Sequence, residues 1–186
     1  MQRTISAMVG KGSVNHNSRK FRAENEDGTR THLNIDYCNE NIKTVYHELF
    51  DEALERYNAK QIRSDRKIKD YYEKIRSSKQ EKPFHEIILQ VGGKGNMNAD
   101  TENGELAKQI LDEYYQGFQE RNPQLRVFSA HLHMDEATPH LHIDFVPYVT
   151  GWKGKGMDIR VSLKQALKSL GFQGGNKHDT ELNQWI

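Results

Sequence analysis

Residues 127–148 read VFSAHLHMDEATPHLHIDFVPY and hold four of the chain's nine histidines: His131, His133, His140 and His142. Apolar and polar residues alternate across the first half, so Phe128, Ala130 and Leu132 fall on one face of a strand and Ser129, His131 and His133 on the other. The second half repeats the pattern, with Leu141, Ile143 and Phe145 alternating against His140, His142 and Asp144. His140 and His142 therefore share a face and lie roughly 7 Å apart along the backbone, within reach of one ion. The intervening residues 134–138 are few enough for a hairpin. Thr138 is biased to extended geometry by Pro139, and proline is tolerated at the first position of a strand. If both histidine faces lie on one side of the sheet, His133 joins His140 and His142 in a three-nitrogen site with open positions, suited to a Lewis acid. Polar residues on a solvated strand face are the ordinary alternative, but three ligands at His-x6-His-x-His on one face rarely arise that way. His131 shares the face of His133 without a spaced partner, which fits either a supporting role behind the ligands or plain exposure.

The 186 residues suffice for one domain with a sizeable core, whereas two domains would be small. Hydrophobic residues make up 35% and charged residues 28%, a polar balance that points to long exposed helices or a large wet binding surface. The net charge of +1 argues against a wholly basic nucleic-acid binder, but the charge is sorted along the chain. Residues 1–23 contain Arg3, Lys11, Arg19, Lys20 and Arg22 with no acid, and residues 60–82 hold nine bases against four acids. Residues 150–170 add five bases against one acid, while residues 96–125 hold six acids against two bases. Basic segments flanking the histidines would supply salt-sensitive phosphate contacts. A single cysteine, Cys38, excludes an internal disulfide and fits a reducing compartment. With no apolar run near 18 residues and no basic-then-apolar leader, neither a membrane segment nor a secretory signal is expected, and a cytoplasmic location is.

Outward from the histidine hairpin, residues 3–9 are expected to open the fold as a strand ended by Gly10. Gly10, Gly12 and Ser13 loosen the chain before His16, whose neighbours Asn15, Asn17 and Arg19 are not those of a core residue. Asp27-Gly28 is a turn signal, and residues 32–37 alternate as a strand. Ile42, Val45, Leu49, Ala53 and Tyr57, with Tyr46, Phe50 and Leu54 beside them, mark an amphipathic helix. Residues 61–75 read as a basic helix in which Arg63, Arg66, Lys67 and Lys69 can clamp phosphate, while Tyr71 and Tyr72 either stack on bases or pack inward. A buried strand over 84–91 ends at the glycine cluster 92–95, and a helix over 102–120 stops at Asn122-Pro123. Residues 151–156, with Lys153 and Lys155, form a mobile basic loop suited to following a flexible DNA strand. Ser162 caps a helix over 163–170 that Gly171 ends, and Thr180 opens another. This order of elements predicts an α+β domain with a mainly antiparallel central sheet backed by helices.

His133-Met134-Asp135-Glu136-Ala137-Thr138-Pro139-His140-Leu141-His142 resembles the HxDExTPHxH motif of the plasmid mobilisation and recombination (Mob/Pre) relaxases, a branch of the histidine-hydrophobe-histidine nucleases, and matches it at every fixed position. His16-Asn17-Ser18-Arg19 resembles the family's HNxR motif, and Arg30-Thr31-His32-Leu33-Asn34 its arginine followed by HLN. The three occur in the family's order, and the resemblance spans essentially the whole chain, loosely over residues 58–82. It implies a relaxase-like sheet with the metal on two adjacent central strands, and a DNA-nicking domain over 1–186 that is the N-terminal part of a longer protein. It also implies an enzyme that binds single-stranded origin-of-transfer DNA and nicks one strand by transesterification. The product would be a covalent 5′-phosphate adduct serving plasmid or mobile-element mobilisation, with conjugation machinery as a further partner. On the same resemblance, His133, His140 and His142 hold Mn2+ or Mg2+, although three imidazoles intrinsically favour Zn2+, copper or Ni2+. His16 becomes the nucleophile, Glu136 orients it or accepts its proton, and Arg19 holds the phosphate. Together with the basic segments, the motifs give a DNA-contacting set of Asn17, Lys20, Arg22, Arg30, His32, Arg63, Arg66, Lys153 and Lys155. Tyr37 and Tyr46 lie close enough to His16 in sequence to stand as alternative nucleophiles. Two rival functions remain: a non-catalytic DNA-binding regulator with a structural zinc, which would need a fourth protein ligand, and a metal-dependent phosphodiester hydrolase that uses water.

Overall fold

In chain order the computed structural model contains β1 (Ile5–Val9), α1 (Val14–Asn17), β2 (Ile35–Asn39), α2 (Ile42–Ala59), α3 (Tyr71–Arg76), β3 (His85–Val91), α4 (Glu102–Gln116), α5 (Phe118–Arg121), β4 (Leu125–His133), β5 (His140–Val149), β6 (Arg160–Val161), α6 (Leu163–Ser169) and α7 (Glu181–Trp185). It describes residues 4–21, 24–93 and 95–186. Among these residues the strands form one six-stranded antiparallel sheet in the order β1-β3-β5-β4-β2, with β6 paired to β5, and helices complete the α+β architecture. The chain falls into two units. One comprises the N-terminal segment through Asn39 with His85–Pro123 and Val127–Phe145; the other comprises Glu40–Phe84, Gln124–Arg126 and Val146–Ile186.

Period-two alternation gives the first unit two chemically different sheet faces. Ile87, Leu89, Phe128, Leu132, Leu141 and Ile143 are buried on one of them. There α4 packs against β3, bringing in the buried Ala107 and Leu111, and Phe118 of α5 meets Phe145 at 6.5 Å between ring centroids. The opposite face carries Glu86, Ser129, His131, His133, His142 and Asp144, all buried although polar. Register fixes their neighbours: Glu86 lies opposite Asp144 and Gln90 opposite His140 across β3 and β5, and Asp36 lies opposite His131 across β2 and β4. A polar layer buried this way is stable only if its groups are hydrogen-bonded.

Two local expectations differ in this unit. The strand expected over 32–37 begins at Ile35, because Thr31–Leu33 is a 3-10 turn. The Asp27 carboxylate accepts from Thr29 N, Thr29 Oγ1 and Arg30 Nε, which closes the chain locally before it can extend. The helix expected over 102–120 breaks at Gly117 into α4 and α5. Arg121 folds back there and donates to the carbonyl of Tyr114.

In the second unit, α2 starts at Asn41, whose side chain accepts from Lys43 N at 2.9 Å, and buries Val45, Tyr46, Phe50 and Ala53. Phe50 meets Tyr71 of α3 edge-on at 4.9 Å. The helix expected over 61–75 is instead a 3-10 turn at Ser64–Arg66 followed by the short α3. Asn58 bonds both backbone groups of Ile68, which holds the intervening chain in a loop, and Ile62 is fully exposed, so no continuous apolar stripe exists to bury. Ser162 and Thr180 cap α6 and α7 as the sequence predicts. Among the described residues, no helix is long and apolar enough to cross a membrane.

Candidate active site

The first unit lays its N-terminal segment along the polar face of the sheet. Gly10 N donates to the Glu86 carbonyl at 3.0 Å and Gly12 N to Glu86 Oε2 at 2.6 Å. A Cβ on Gly10 would fall 2.0 Å from Glu86 Oε2, so a larger residue would have to displace this carboxylate. The chain then forms α1, from which the buried Asn17 donates to Glu86 Oε1 (2.7 Å) and Asp144 Oδ2 (3.1 Å). Arg19 follows with φ 52, a left-handed conformation that few non-glycine residues adopt. Its guanidinium secures the turn: Nη1 donates to Glu26 Oε1 (2.8 Å), Nε to Asp135 Oδ2 (3.1 Å), and Nη2 to Asp135 Oδ1 and Glu136 Oε1.

Beneath this segment His133, His140 and His142 converge, with ring centroids 4.8 to 5.2 Å apart. Each ring has one nitrogen bonded to an acceptor: His133 Nε2 to the Asn17 carbonyl (2.7 Å), His140 Nδ1 to the Thr138 carbonyl (2.9 Å) and His142 Nδ1 to Glu86 Oε1 (2.6 Å). Carbonyl and carboxylate oxygens only accept, so those nitrogens carry the protons and the lone pairs sit on His133 Nδ1, His140 Nε2 and His142 Nε2. Burial pushes the Glu86 carboxyl up, but hydrogen bonds from His142, the Gly12 amide and Asn17 outweigh burial and hold it below the usual carboxylate range. Burial, with the charges of His142 and Arg19, lowers His133 to about 2, and burial likewise lowers His140. His133 Nδ1 and His142 Nε2 are buried without a protein partner, and one ring nitrogen from each histidine lies within 4.8 Å of the others. Three convergent imidazoles, two of them with an orphaned buried nitrogen, fit a divalent metal ion with open coordination positions.

His16 stands over this cluster. Its ring is edge-on to His133 and His142, 6.1 Å from each, and its side chain is 24% exposed. Nε2 lies 3.7 Å from Glu136 Oε1, the oxygen that is also 3.7 Å from His140 Nε2; Nδ1 lies 3.6 Å from Glu26 Oε1. Nε2 is therefore the nitrogen turned to the histidine cluster, and Nδ1 faces the nearly buried Glu26. Glu26, Asp135 and Glu136 outnumber Arg19 here, and Glu86 adds a further carboxylate on His142, so the site is net acidic and attracts a cation.

The structure separates the residues expected here. His131 is buried rather than exposed: Nδ1 meets Asp36 Oδ1 at 2.6 Å and Nε2 meets Ser129 Oγ, which donates to Asp144. Asn17, expected on DNA, points into the sheet. Arg30, also expected on DNA, is tied to Asp27 and the Glu136 carbonyl. Arg19 is enclosed by carboxylates instead of being free for phosphate. Lys20 and His32 are exposed, and Arg22 lies outside the described residues. Arg63, Arg66, Lys153 and Lys155 are exposed in the second unit, Arg63 paired with Asp65. Tyr37, the first alternative nucleophile, stacks on Tyr115 and donates to Asp112 at 2.7 Å, and burial with that bond pushes its phenol far up. Tyr46, in the second unit, is buried and donates to the Pro83 carbonyl. Cys38 Sγ sits 3.7 Å from Tyr115 Oη. Glu26, Glu86 and Asp144 escaped sequence reasoning as site residues. Glu86 had left one trace, an acid inside an apolar strand, and Asp144 another, its place on the histidine face of the alternation.

The sequence profile of a family described as plasmid recombination enzyme (Mob_Pre) matches residues 12–171. Among solved structures, the chain resembles a Mn-bound MobM relaxase domain carrying a 22-nucleotide oriT DNA of plasmid pMV158: 21% identity, 90% of this chain and 81% of that one covered, TM-score 0.50. A second Mn-bound form of that domain, on the 22-nucleotide DNA with a 3′ thiophosphate, has 21% identity, 87% and 76% coverage and TM-score 0.50. A comparison with curated proteins gave no match.

Proposed function

The chain belongs to the plasmid recombination enzyme (Mob_Pre) family, and from that premise we propose that it is a metal-dependent relaxase that nicks single-stranded origin-of-transfer DNA with His16. The observation that carries this reading is the stacking of two functions in one place: three convergent imidazoles, two of them with a buried ring nitrogen that has no hydrogen-bond partner, and a fourth, partly exposed imidazole edge-on to His133 and His142 at 6.1 Å. A divalent ion held by His133, His140 and His142, manganese being the ion in the similar MobM domain, would supply Lewis acidity to a phosphate and neutralise its developing charge. His16 Nε2 attacks phosphorus with its lone pair while Nδ1 keeps its proton toward Glu26, so Glu26 takes the orienting part first expected of Glu136. The P–N bond forms as the bond to the 3′ oxygen breaks, and the Nδ1 proton passes to Glu26, leaving an uncharged imidazole ring joined to the 5′ phosphate as a phosphoramidate monoanion, while the 3′ oxygen leaves as an alkoxide that takes a proton from water. The Arg19 guanidinium, whose Nη1 lies 3.5 Å from His16 Nε2 and can only donate, favours the tautomer with the lone pair on Nε2, and Glu136 in turn holds that guanidinium. Arg19 fixes all three carboxylates and so the position of His16. Exposed Lys20, His32, Arg63, Arg66, Lys153 and Lys155 contact the DNA backbone. The protein works in the cytoplasm on a mobile element, delivering the nicked strand to conjugation machinery.

The test uses single-stranded oligonucleotides that tile both strands of the DNA element carrying the gene, incubated with protein and Mn2+. One oligonucleotide should become covalently attached, through a bond labile in acid and stable in base, to the peptide containing His16. His16→Ala should lose the adduct and keep metal binding. Cleavage without adduct would replace this reading with a water-using hydrolase, and binding without cleavage would replace it with a regulator.

A further inference from the structure

Phe21 is 52% exposed, the one exposed phenylalanine among the described residues. A single exposed apolar side chain needs no explanation in itself, but the position of this one does. Its ring centroid is 5.9 Å from that of His16, tilted by 42°, while His133 and His142 meet His16 edge-on. The turn after α1 puts it there: Arg19 N donates to the His16 carbonyl and Lys20 N to the Asn15 carbonyl, both at 3.0 Å, with Arg19 left-handed between them. The chain reverses and returns Phe21 to the side of a residue five positions earlier. Glu26, Asp135 and Glu136 hold the strained turn by its guanidinium. Strain kept in place by three carboxylates, ending in an uncovered ring beside a partly exposed imidazole, has the character of a prepared surface.

We propose that Phe21 is a stacking platform for an unpaired base, that of a nucleotide adjoining the phosphate presented to His16. The inference rests on the relaxase reading above. Every base has an apolar π face, so the ring would set the position of the strand without reading its sequence. Exposed Lys20 stands next to it in the chain and offers a cation to the same nucleotide's phosphate. The carboxylates around His16 repel a phosphate that drifts, which makes a neutral hold on the base the more useful anchor.

Two probes separate a base contact from a phosphate contact: a random-sequence pool of single-stranded 24-mers, and an abasic deoxyribose-phosphate 24-mer, both titrated in Mn2+. Phe21→Ala should weaken binding of the pool by roughly 5- to 100-fold and leave the abasic strand unchanged. Phe21→Trp should retain pool affinity, and its added fluorescence should be quenched by the pool but not by the abasic strand. Wild-type protein that binds the pool as tightly as Phe21→Ala overturns the platform and leaves the relaxase reading standing. Wild-type protein that binds neither probe overturns both.

Discussion

Glu26 and Glu86 each act through a histidine, and their effects should be separable. Glu26 faces Nδ1 of His16 and touches no group of the histidine cluster named above, so in the proposed mechanism Glu26→Gln should slow adduct formation by roughly 100-fold while metal content and DNA affinity stay near wild type. Single-turnover kinetics would check this, and an unaltered rate would return the orienting role to Glu136. Glu86 bonds Nδ1 of His142, the Gly12 amide and Asn17 at once. Glu86→Gln should therefore lower Mn2+ affinity by about 10- to 100-fold, the usual effect of removing a partner that orients a ligand, as read by metal titration. The three cluster histidines were legible because period two alone puts them on one face. Glu26 and Glu86 were not, because each meets its histidine only after distant segments come together, Glu86 and His142 being 56 positions apart.

Elements were legible where their periodicity was strong, as in α2, α4, β3 and the β4–β5 pair, and illegible where local side-chain bonds replace it, as around Asp27 and Asn58. Because β4 and β5 carry titratable groups whose shifts oppose one another, their pH dependence can be worked out. His133, lowered from 6.5 to about 2, binds a proton in the unfolded chain but not in the fold between those values, so it contributes stability above pH 6.5 that is lost as pH falls. His140 is lowered too and acts in the same direction. Asp144 is raised from 3.8 to about 6, mainly by burial and then by Glu86, so the fold binds its proton between pH 3.8 and 6 and gains stability there as pH falls. His133 and His140 together oppose Asp144, so the metal-free protein should lose stability as pH falls below 6. Asp144→Asn should steepen that loss; chemical denaturation at pH 4.5, 5.5 and 6.5 checks both, and a shallower slope in the variant contradicts the sign for Asp144. The loop bearing Lys153 and Lys155 offers a different element-scale test. If those lysines neutralise backbone phosphates, replacing both by alanine should reduce the log–log salt slope of single-strand binding by about 0.7 for each phosphate left unneutralised. An unchanged slope would remove them from the DNA.

At the scale of the molecule, the nearly neutral net charge conceals a locally acidic centre, and that contrast orders events in the proposed reaction. A site in which Glu26, Asp135, Glu136 and Glu86 outnumber Arg19 repels phosphate, so a divalent ion should precede the scissile phosphate rather than follow it. The same ion would stabilise the fold by binding it and not the unfolded chain. At a Mn2+ concentration 100 times its dissociation constant the gain is about 2.7 kcal/mol, which in a protein of this size corresponds to a rise of roughly 5–10 °C in Tm. His133, His140 and His142 all belong to the first of the two units, as do His16, Glu86 and Glu136. Calorimetry with and without Mn2+ therefore also reports whether the two units melt together. If unfolding is one cooperative transition, the whole of it should move upward with Mn2+. If it is two, only the transition of the unit holding the histidines should move, and the other should stay where it is. In either case His140→Ala should abolish the shift, because two imidazoles are left where three converged. A Mn2+-dependent rise that survives in His140→Ala would place the ion elsewhere in the protein.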